Sequence, residues 1–268
     1  MRRRIVRGLS LALAIGAAWV VTPRTSAAQV SVDALELALP LRGNDAASAT
    51  QTITVTNSGD AGTQVNISAA DWDRSETGEN RYAPLGSMKQ SCGAKVSVFP
   101  TVLYLEAKTS ATIRVRLDSA AVSDQGCYTI LFVETPKPPA TSASSAIRYS
   151  VRYGVKVYVE PDAAPAAEII DADVLAPARN TADSMAVSVL FSNTGVRQTL
   201  AHGVAEIRRL DNSVVQSLPI PDFPTLPDAK RRVTVALPPL PRGSYVVLVI
   251  LDYGGLEVAA AQIAVEVP

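Results

Sequence analysis

The sequence IRYSVRYGVKVYVE, residues 147–160, alternates apolar and polar side chains over its whole length. Every odd-numbered position is apolar, and every even-numbered position except Tyr158 is polar, charged or glycine. Because successive side chains of a β-strand point to opposite faces of a sheet, this period of two predicts a strand with one buried face. Its length of about 45 Å exceeds that of ordinary strands. We therefore expect part of it to extend past the core or to form an accessible sheet edge.

The segment that precedes this strand is PKPPATSASSA, residues 136–146. Its proline, serine and alanine content predicts a loop rather than packed structure. Two interpretations of the loop and strand stay open. The strand either completes its own sheet after a long connection, or it is held ready to pair with another protein, because a long accessible edge needs a cover or a partner.

The rest of the chain after Val30 consists of short apolar and β-branched runs separated by Gly, Asn, Asp and Pro clusters. This pattern predicts an all-β protein of two immunoglobulin-like sandwiches in tandem, with no evident sequence repeat between the halves. The predicted strands of the first half are 30–39, 50–56, 64–72, 95–99, 102–105, 112–117, 126–134 and 147–160. Those of the second half are 168–174, 185–193, 204–209, 214–218, 231–237, 244–252 and 257–267.

The boundary between the halves is predicted at PDAAPAA, residues 161–167, where two prolines among alanines interrupt the strands. Such a segment is typical of a short linker. We therefore expect a first domain over residues 29–161, a linker over 162–167 and a second domain over 168–268.

The first 28 residues have the organisation of a secretory signal peptide. Arginines precede an apolar run of 13 residues, LSLALAIGAAWVV, and Ser26-Ala27-Ala28 supplies small side chains for cleavage. The alternative, a membrane anchor, requires about 20 apolar residues. Because no other stretch is long enough, we expect the mature chain not to insert into a membrane. It should be periplasmic, or alternatively secreted or displayed on the cell surface.

Removal of the leader changes the charge balance. The whole chain has 25 basic and 25 acidic residues, but five arginines and no acids lie in residues 1–28, so the remainder has a net charge of −5. Nucleic-acid binding needs clustered excess Lys and Arg, which argues against that class of partner. Export also makes a disulfide between Cys92 and Cys127 the expected state of the two cysteines, since an oxidising compartment allows it.

Catalytic chemistry has little support in the sequence. A thiol nucleophile would need a nearby base, but His202 is the single histidine and lies 75 residues after Cys127. No zinc ligand set, nucleophile elbow or phosphate loop is present, so we expect no enzyme activity, no cofactor and no metal. The crowded carboxylates of DWDRSETGEN, residues 71–80, have a type of ligand that Ca²⁺ accepts. They lack the EF-hand spacing, which favours a solvated turn.

Several segments in order resemble the periplasmic chaperones of the chaperone–usher pilus pathway, the PapD-like chaperones. They are VSVD at residue 30, TITVTN ending at Asn57, VNISAADW ending at Trp72, FPTVLYLEAKTSATIRVRL from residue 99, and VKVYVEP ending at Pro161. The resemblance covers residues 30–161, about half of the mature chain. It implies a protein that binds pilus or fimbrial subunits, with an outer-membrane usher as a further partner.

The resemblance also implies which residues bind the subunit. A subunit of this kind lacks its last strand, and the chaperone supplies one by donor-strand complementation, here strand 147–159 with Ile147, Tyr149 and Val151 in the subunit groove. A basic pair in the cleft between the domains holds the subunit's terminal carboxylate. Lys156 matches the lysine of that pair. The first strand, Ala34-Leu35-Glu36-Leu37, lacks the arginine, and Arg42 is the candidate to replace it.

Two departures from the family leave other functions open. The cysteine pair is not part of its general pattern, and the second domain resembles a generic exported immunoglobulin-like or fibronectin-like module. A structural or adhesive surface protein without chaperone activity is the main alternative. A carbohydrate-binding accessory domain is a weaker one, since Trp72 is the only tryptophan after the leader.

Overall fold

The computed structural model describes residues 29–41, 50–118, 126–136, 150–175 and 185–268. These residues form seventeen strands, and their only helix is a single 3₁₀ turn, Gly93–Lys95. The predicted all-β fold of two sandwiches is confirmed. Within the described ranges, no helix has the length and apolar character needed to span a membrane. The predicted leader, residues 1–28, lies outside them.

The first sandwich packs a four-stranded sheet against a larger one. The smaller sheet has the order β1-β3-β8-β6, and the larger has the order β2-β10-β9-β4-β5, with β7 also paired to β4. The strands are β1 Val30–Val32, β2 Glu36–Leu41, β3 Thr50–Asn57, β4 Thr63–Arg74, β5 Asn80–Pro84, β6 Val96–Phe99, β7 Val102–Leu105, β8 Ser110–Leu117, β9 Cys127–Glu134 and β10 Arg152–Pro161.

The second sandwich has sheets in the orders β11-β12-β15 and β14-β13-β16-β17. Its strands are β11 Ala167–Leu175, β12 Ala186–Asn193, β13 Thr199–Arg209, β14 Val214–Thr225, β15 Lys230–Ala236, β16 Gly243–Asp252 and β17 Ala259–Val267. Each domain has its own core of inward-facing aliphatic and aromatic side chains, which include Ile53, Val115 and Val157 in the first and Phe191, Val247 and Leu251 in the second.

Two strand predictions for the first domain were wrong. The predicted strand 30–39 is divided, because the chain leaves one sheet after β1 and joins the other at β2. Asp33 fixes this crossing: its N–H donates to Thr54 O at 3.1 Å, and its carboxylate accepts from Thr54 N–H at 2.8 Å. Strand β5 was not predicted, because its sequence NRYAP is mostly exposed at the edge of the sheet and lacks an apolar alternation.

The same asparagine corner occurs in both domains. Buried Asn57 ends β3, donates from Nδ2 to the carbonyls of Ala61, Leu105 and Glu106, and accepts from Gly59 N–H. Buried Asn193 ends β12, donates to the carbonyls of Arg197 and Thr225, and accepts from Gly195 N–H. The two sequences, TNSG and SNTG, are too short to be noticed as a repeat without the structure.

The disulfide expected between Cys92 and Cys127 is present, with a Cα–Cα distance of 4.8 Å. It connects the segment before the 3₁₀ turn to the start of β9. Hydrogen bonds from Cys92 N–H to Tyr128 O and from Tyr128 N–H to Gln90 O support the same junction. The disulfide therefore fixes a segment of the first domain that has little regular structure of its own.

Candidate functional site

Strand β10 has one neighbour along its whole length and another along only part of it. It pairs antiparallel with β9 from Arg152 to Val159. On its other side it pairs parallel with β2, but only from Lys156 onward, where Lys156 lies opposite Glu36. In the described part of the chain, no strand pairs with Arg152–Val155 on that side. This four-residue range is the open edge of β10.

The open edge follows from the crossing of the first strand between sheets. Lys156 N–H donates to Leu35 O at 2.9 Å, which is where the chain arrives at this sheet. Because alternate residues of a strand direct both backbone groups to the same side, Arg152 and Gly154 direct theirs toward the side that β2 does not reach. An extended segment of another protein has room to pair there.

The apolar face of β10 belongs to the core of the first domain. Val155, Val157 and Val159 are fully buried in it, and Tyr153 packs against it while its hydroxyl donates to Val30 O at 2.6 Å. The predicted subunit-binding residue Val151 is half-buried and continues the ladder, because Thr135 N–H donates to Val151 O. The other two, Ile147 and Tyr149, lie outside the described residues.

The opposite face of β10 contributes to an aromatic cluster between the domains. Tyr158 makes edge-on contacts with Trp72 and with Tyr128 at ring-centroid distances of 5.7 and 5.8 Å. Leu226 of the second domain packs into the same cluster. Burial raises the pKa of both Tyr128 and Tyr158, and the nearby carboxylates Glu160 and Glu36 respectively raise it further. Trp72 was expected to fill a core, and it is buried here, in the interface rather than in either sandwich.

Lys156 lies beside this cluster. Its ammonium is 4.7 Å from the centre of the Trp72 ring and 3.8 Å from a Glu36 carboxylate oxygen, and its side chain is 14% exposed. Burial lowers the pKa of Lys156, and the positive charge of Arg74 lowers it further, while Glu36 acts in the opposite direction. The position is a cleft in which a cation is partly removed from water.

The second basic group in this cleft is Arg74, which the sequence analysis did not select. Arg74 ends β4, and its guanidinium carbon lies 5.8 Å from the centre of the Trp72 ring. Arg42, the predicted partner of Lys156, lies outside the described residues. The alternation of Ala70, Trp72 and Arg74 on one face of β4 was the available sequence signal, but the pairing of β4 with β9 was needed to bring that face toward Lys156.

Polar contacts hold the two domains together around the cluster. The Glu160 carboxylate accepts from Gln198 N–H at 2.7 Å and lies 3.6 Å from the Arg197 guanidinium. On the opposite side, Gln90 donates to Pro227 O at 2.6 Å, and Lys89 pairs with Asp228 at 2.9 Å. The junction is therefore specified by directional bonds as well as by apolar packing.

A cavity of about 550 Å³ lies between the domains, lined by Trp72 and Arg74 from the first and Leu226 and Lys230 from the second. Asp71 also lines it, and the expectation of a solvated acidic turn was wrong for this residue. Asp71 is 1% exposed and accepts from the backbone N–H groups of Ser87 and Met88 and from the Ser91 hydroxyl.

The other acids of that segment are engaged or exposed. Asp73 forms a bidentate pair with Arg81, with both bonds at 2.7 Å. No group of three or more potential ligand side chains that could hold a metal ion occurs in the described ranges. The carboxylates of residues 71–80 thus hold local structure rather than converge on one point.

Comparison with solved structures gives the same architecture. The class 5 fimbriae chaperone CfaA matches with a TM-score of 0.51 at 13% identity, over 89% of this chain and 99% of that one. A chain of a chaperone–tip adhesin complex of CFA/I fimbriae biogenesis matches with a TM-score of 0.52 at 14% identity, over 90% of this chain and all of that one. The chain has the two-domain fold of fimbrial chaperones. No protein-family model and no curated protein matches the sequence.

Proposed function

We propose that the protein is an exported, non-enzymatic chaperone that binds pilus or fimbrial subunits by lending them strand 147–155. The observation that carries the proposal is the open edge of β10, which follows directly on the alternating segment 147–151. The shared fold and the complex of a similar protein with a tip adhesin support the class of partner.

In this mechanism, one strand serves two sheets. From Lys156 to Pro161, β10 is held by β9 and β2 and anchors the strand in its own domain. From Arg152 toward the N-terminus, the backbone groups of alternate residues pair with the subunit, while Ile147, Tyr149 and Val151 fill its open groove. The register is fixed because the same alternation continues into the buried Val155 and Val157.

The remaining parts of the proposal follow from the leader and the cleft. Residues 1–28 direct export to the periplasm, where the Cys92–Cys127 disulfide is stable. Domain limits of 29–161 and 168–268 place the cleft at the junction of the sandwiches. Lys156 binds the terminal carboxylate of the subunit there, and an outer-membrane usher receives the complex.

The test of strand donation compares adjacent positions on opposite faces. Val151→Asp places a charge on the face that fills the groove, and Ser150→Asp places the same charge on the other face. With a candidate subunit co-expressed, we expect Val151→Asp to abolish capture and Ser150→Asp to retain it. Ile147→Asp and Tyr149→Asp provide the same test further from the core.

The outcome is decisive if the melting temperatures of the variants stay near that of the wild type. Equal capture by the variants on both faces would mean that the strand only completes its own sandwich. A structural or adhesive role would then be the better account.

Lys156→Ala tests the anchor separately. The substitution removes a half-buried cation that has a single weak ionic partner, so we expect the melting temperature to change little. Subunit capture should weaken strongly, because a charge-assisted bond to the carboxylate is lost. Undiminished capture by Lys156→Ala would remove this residue from the mechanism.

A further inference from the structure

Two arginines from different domains meet at the interdomain cleft, and neither has a carboxylate partner. Arg74 ends β4 of the first domain, and Arg231 lies in β15 of the second. Within the described ranges, no Asp or Glu oxygen lies within 4 Å of either guanidinium. The neighbouring Arg232, in contrast, has Glu76 at 4.0 Å and Asp171 at 3.6 Å.

Arg231 reaches into the first domain. Its guanidinium donates to the backbone carbonyl of Glu76 at 3.5 Å and lies against Gly78, where a Cβ atom would collide with it. Burial lowers the pKa of Arg231, and the positive charge of Arg74 lowers it further. Arg74 has the same effect on the pKa of Lys156. Arg74 is therefore electrostatically close to both of the other cations.

The cleft also contains hydrogen-bond donors without acceptors. Trp72 is 3% exposed, and its Nε1 has no acceptor among the described residues; the buried Nε of Arg74 has none either. Both residues line the interdomain cavity. Buried donors almost always have a partner, so two orphans beside unpaired cations indicate an acceptor with negative charge.

The acids near these cations do not supply it. Glu36 lies 3.8 Å from Lys156 and its side chain is 57% exposed, which makes it a weak partner. Glu76 offers Arg231 its backbone carbonyl, while its side chain is turned to Arg232. Three cations brought together against one exposed carboxylate repel each other, and that arrangement is relieved when an anion binds between them.

We propose that Arg74 and Arg231 bind a carboxylate of the partner protein between the two domains, next to Lys156, so that both sandwiches hold the same group. Planar guanidinium groups suit this task because each presents paired donors to carboxylate oxygens. The inference rests on the proposed function for the class of partner. It adds that the second domain takes part in binding and that an arginine of β4 replaces the one missing from the first strand.

The test uses an N-acetylated hexapeptide, Val-Thr-Val-Ser-Val-Thr, with either a free C-terminal carboxylate or an amide. A third peptide, amidated and ending in Glu, carries the carboxylate on a side chain. Binding is followed by the fluorescence of Trp72, since the peptides contain no aromatic residue. We expect the free acid to bind roughly tenfold more tightly than the amide. Recovery of tight binding by the Glu peptide would assign a side-chain source, and failure to recover it would assign the C-terminus.

Variants locate the site. Arg74→Gln and Arg231→Gln should each reduce the acid-to-amide ratio severalfold. Arg114→Gln and Arg242→Gln remove the same charge from exposed arginines of the first and second domains and should leave the ratio unchanged. Because the ratio compares two ends of one peptide, it does not depend on whether strand donation is correct.

Three results would overturn the inference. Equal affinity for acid and amide would mean that no carboxylate site exists, even if subunit capture is intact. An unchanged ratio in Arg231→Gln would exclude the second domain. An equal loss in the two control variants would reduce the effect to overall charge.

Discussion

The two sandwiches share an asparagine corner but differ in their last strands. In the second domain, β17 follows β16 after a short turn, pairs with it from Ala259 to Val267, and lies beside β11 of the facing sheet. In the first domain, β10 is separated from β9 by a long connection, and β2 covers only its second half. The second domain uses its last strand to close itself, whereas the first leaves part of its last strand accessible.

This difference has a local cause. The first strand of the chain contributes β1 to one sheet and β2 to the other, and the crossing at Asp33 leaves Arg152–Val155 without a neighbour on that side. A strand with an unpaired edge is a liability unless a partner covers it. The first domain also has the disulfide, which the second lacks entirely because the chain contains two cysteines.

The largest expected difference between the domains is their response to reduction. Closing a loop over a sequence separation of 35 residues stabilises a fold by about 3 to 4 kcal/mol in the chain-entropy model. Cys92→Ala combined with Cys127→Ala should lower the unfolding free energy of the first domain by that amount and leave the second unchanged. Calorimetry should show one transition moving. A parallel shift of both transitions would mean that the domains unfold as one unit.

The asparagine corners test what the domains share. Asn57→Ala leaves buried backbone carbonyls without donors, which we expect to cost about 2 to 3 kcal/mol in the first domain. Asn193→Ala should cost less, about 1 to 2 kcal/mol, because Asn193 donates to two carbonyls rather than three. Urea unfolding of each variant measures both values. A larger effect at Asn193 would contradict the equivalence of the corners.

Leu226→Ala tests the junction between the domains. Leu226 is 3% exposed against Trp72, Tyr128 and Tyr158, so its truncation should cost about 2 kcal/mol of interface stability. We expect the two calorimetric transitions to separate further, while the circular dichroism of each sandwich is retained. Leu256→Ala is the control, because Leu256 is 97% exposed and should change neither transition. Unchanged coupling in Leu226→Ala would show that polar contacts alone hold the junction.

The sequence was sufficient for features set by local patterns. Alternation at residues 152–160 predicted β10 and its buried face, and the turn residues separated most other strands. It was insufficient for the crossing at Asp33, because both halves of the first strand have the same composition and only their partners differ. The polar strand β5 was missed for the related reason that an exposed edge strand needs no apolar face.

The candidate site shows the same division. Lys156 was found from its place near the end of β10, a position that the chain itself specifies. Arg74 and Arg231 lie 157 residues apart in the sequence. Nothing in either local sequence distinguishes them from solvated arginines, because their shared lack of a carboxylate appears only when the two sandwiches pack together.

Hydrogen exchange at single amides tests the central claim, that the open edge of β10 pairs with a partner strand. In the free protein, the amides of Arg152 and Gly154 should exchange rapidly, while that of Lys156, which donates to Leu35 O, should be protected. In complex with a captured subunit, we predict that Arg152 and Gly154 become as protected as Lys156. Rapid exchange of both amides in a stable complex, or full protection of both in the free protein, would contradict strand donation.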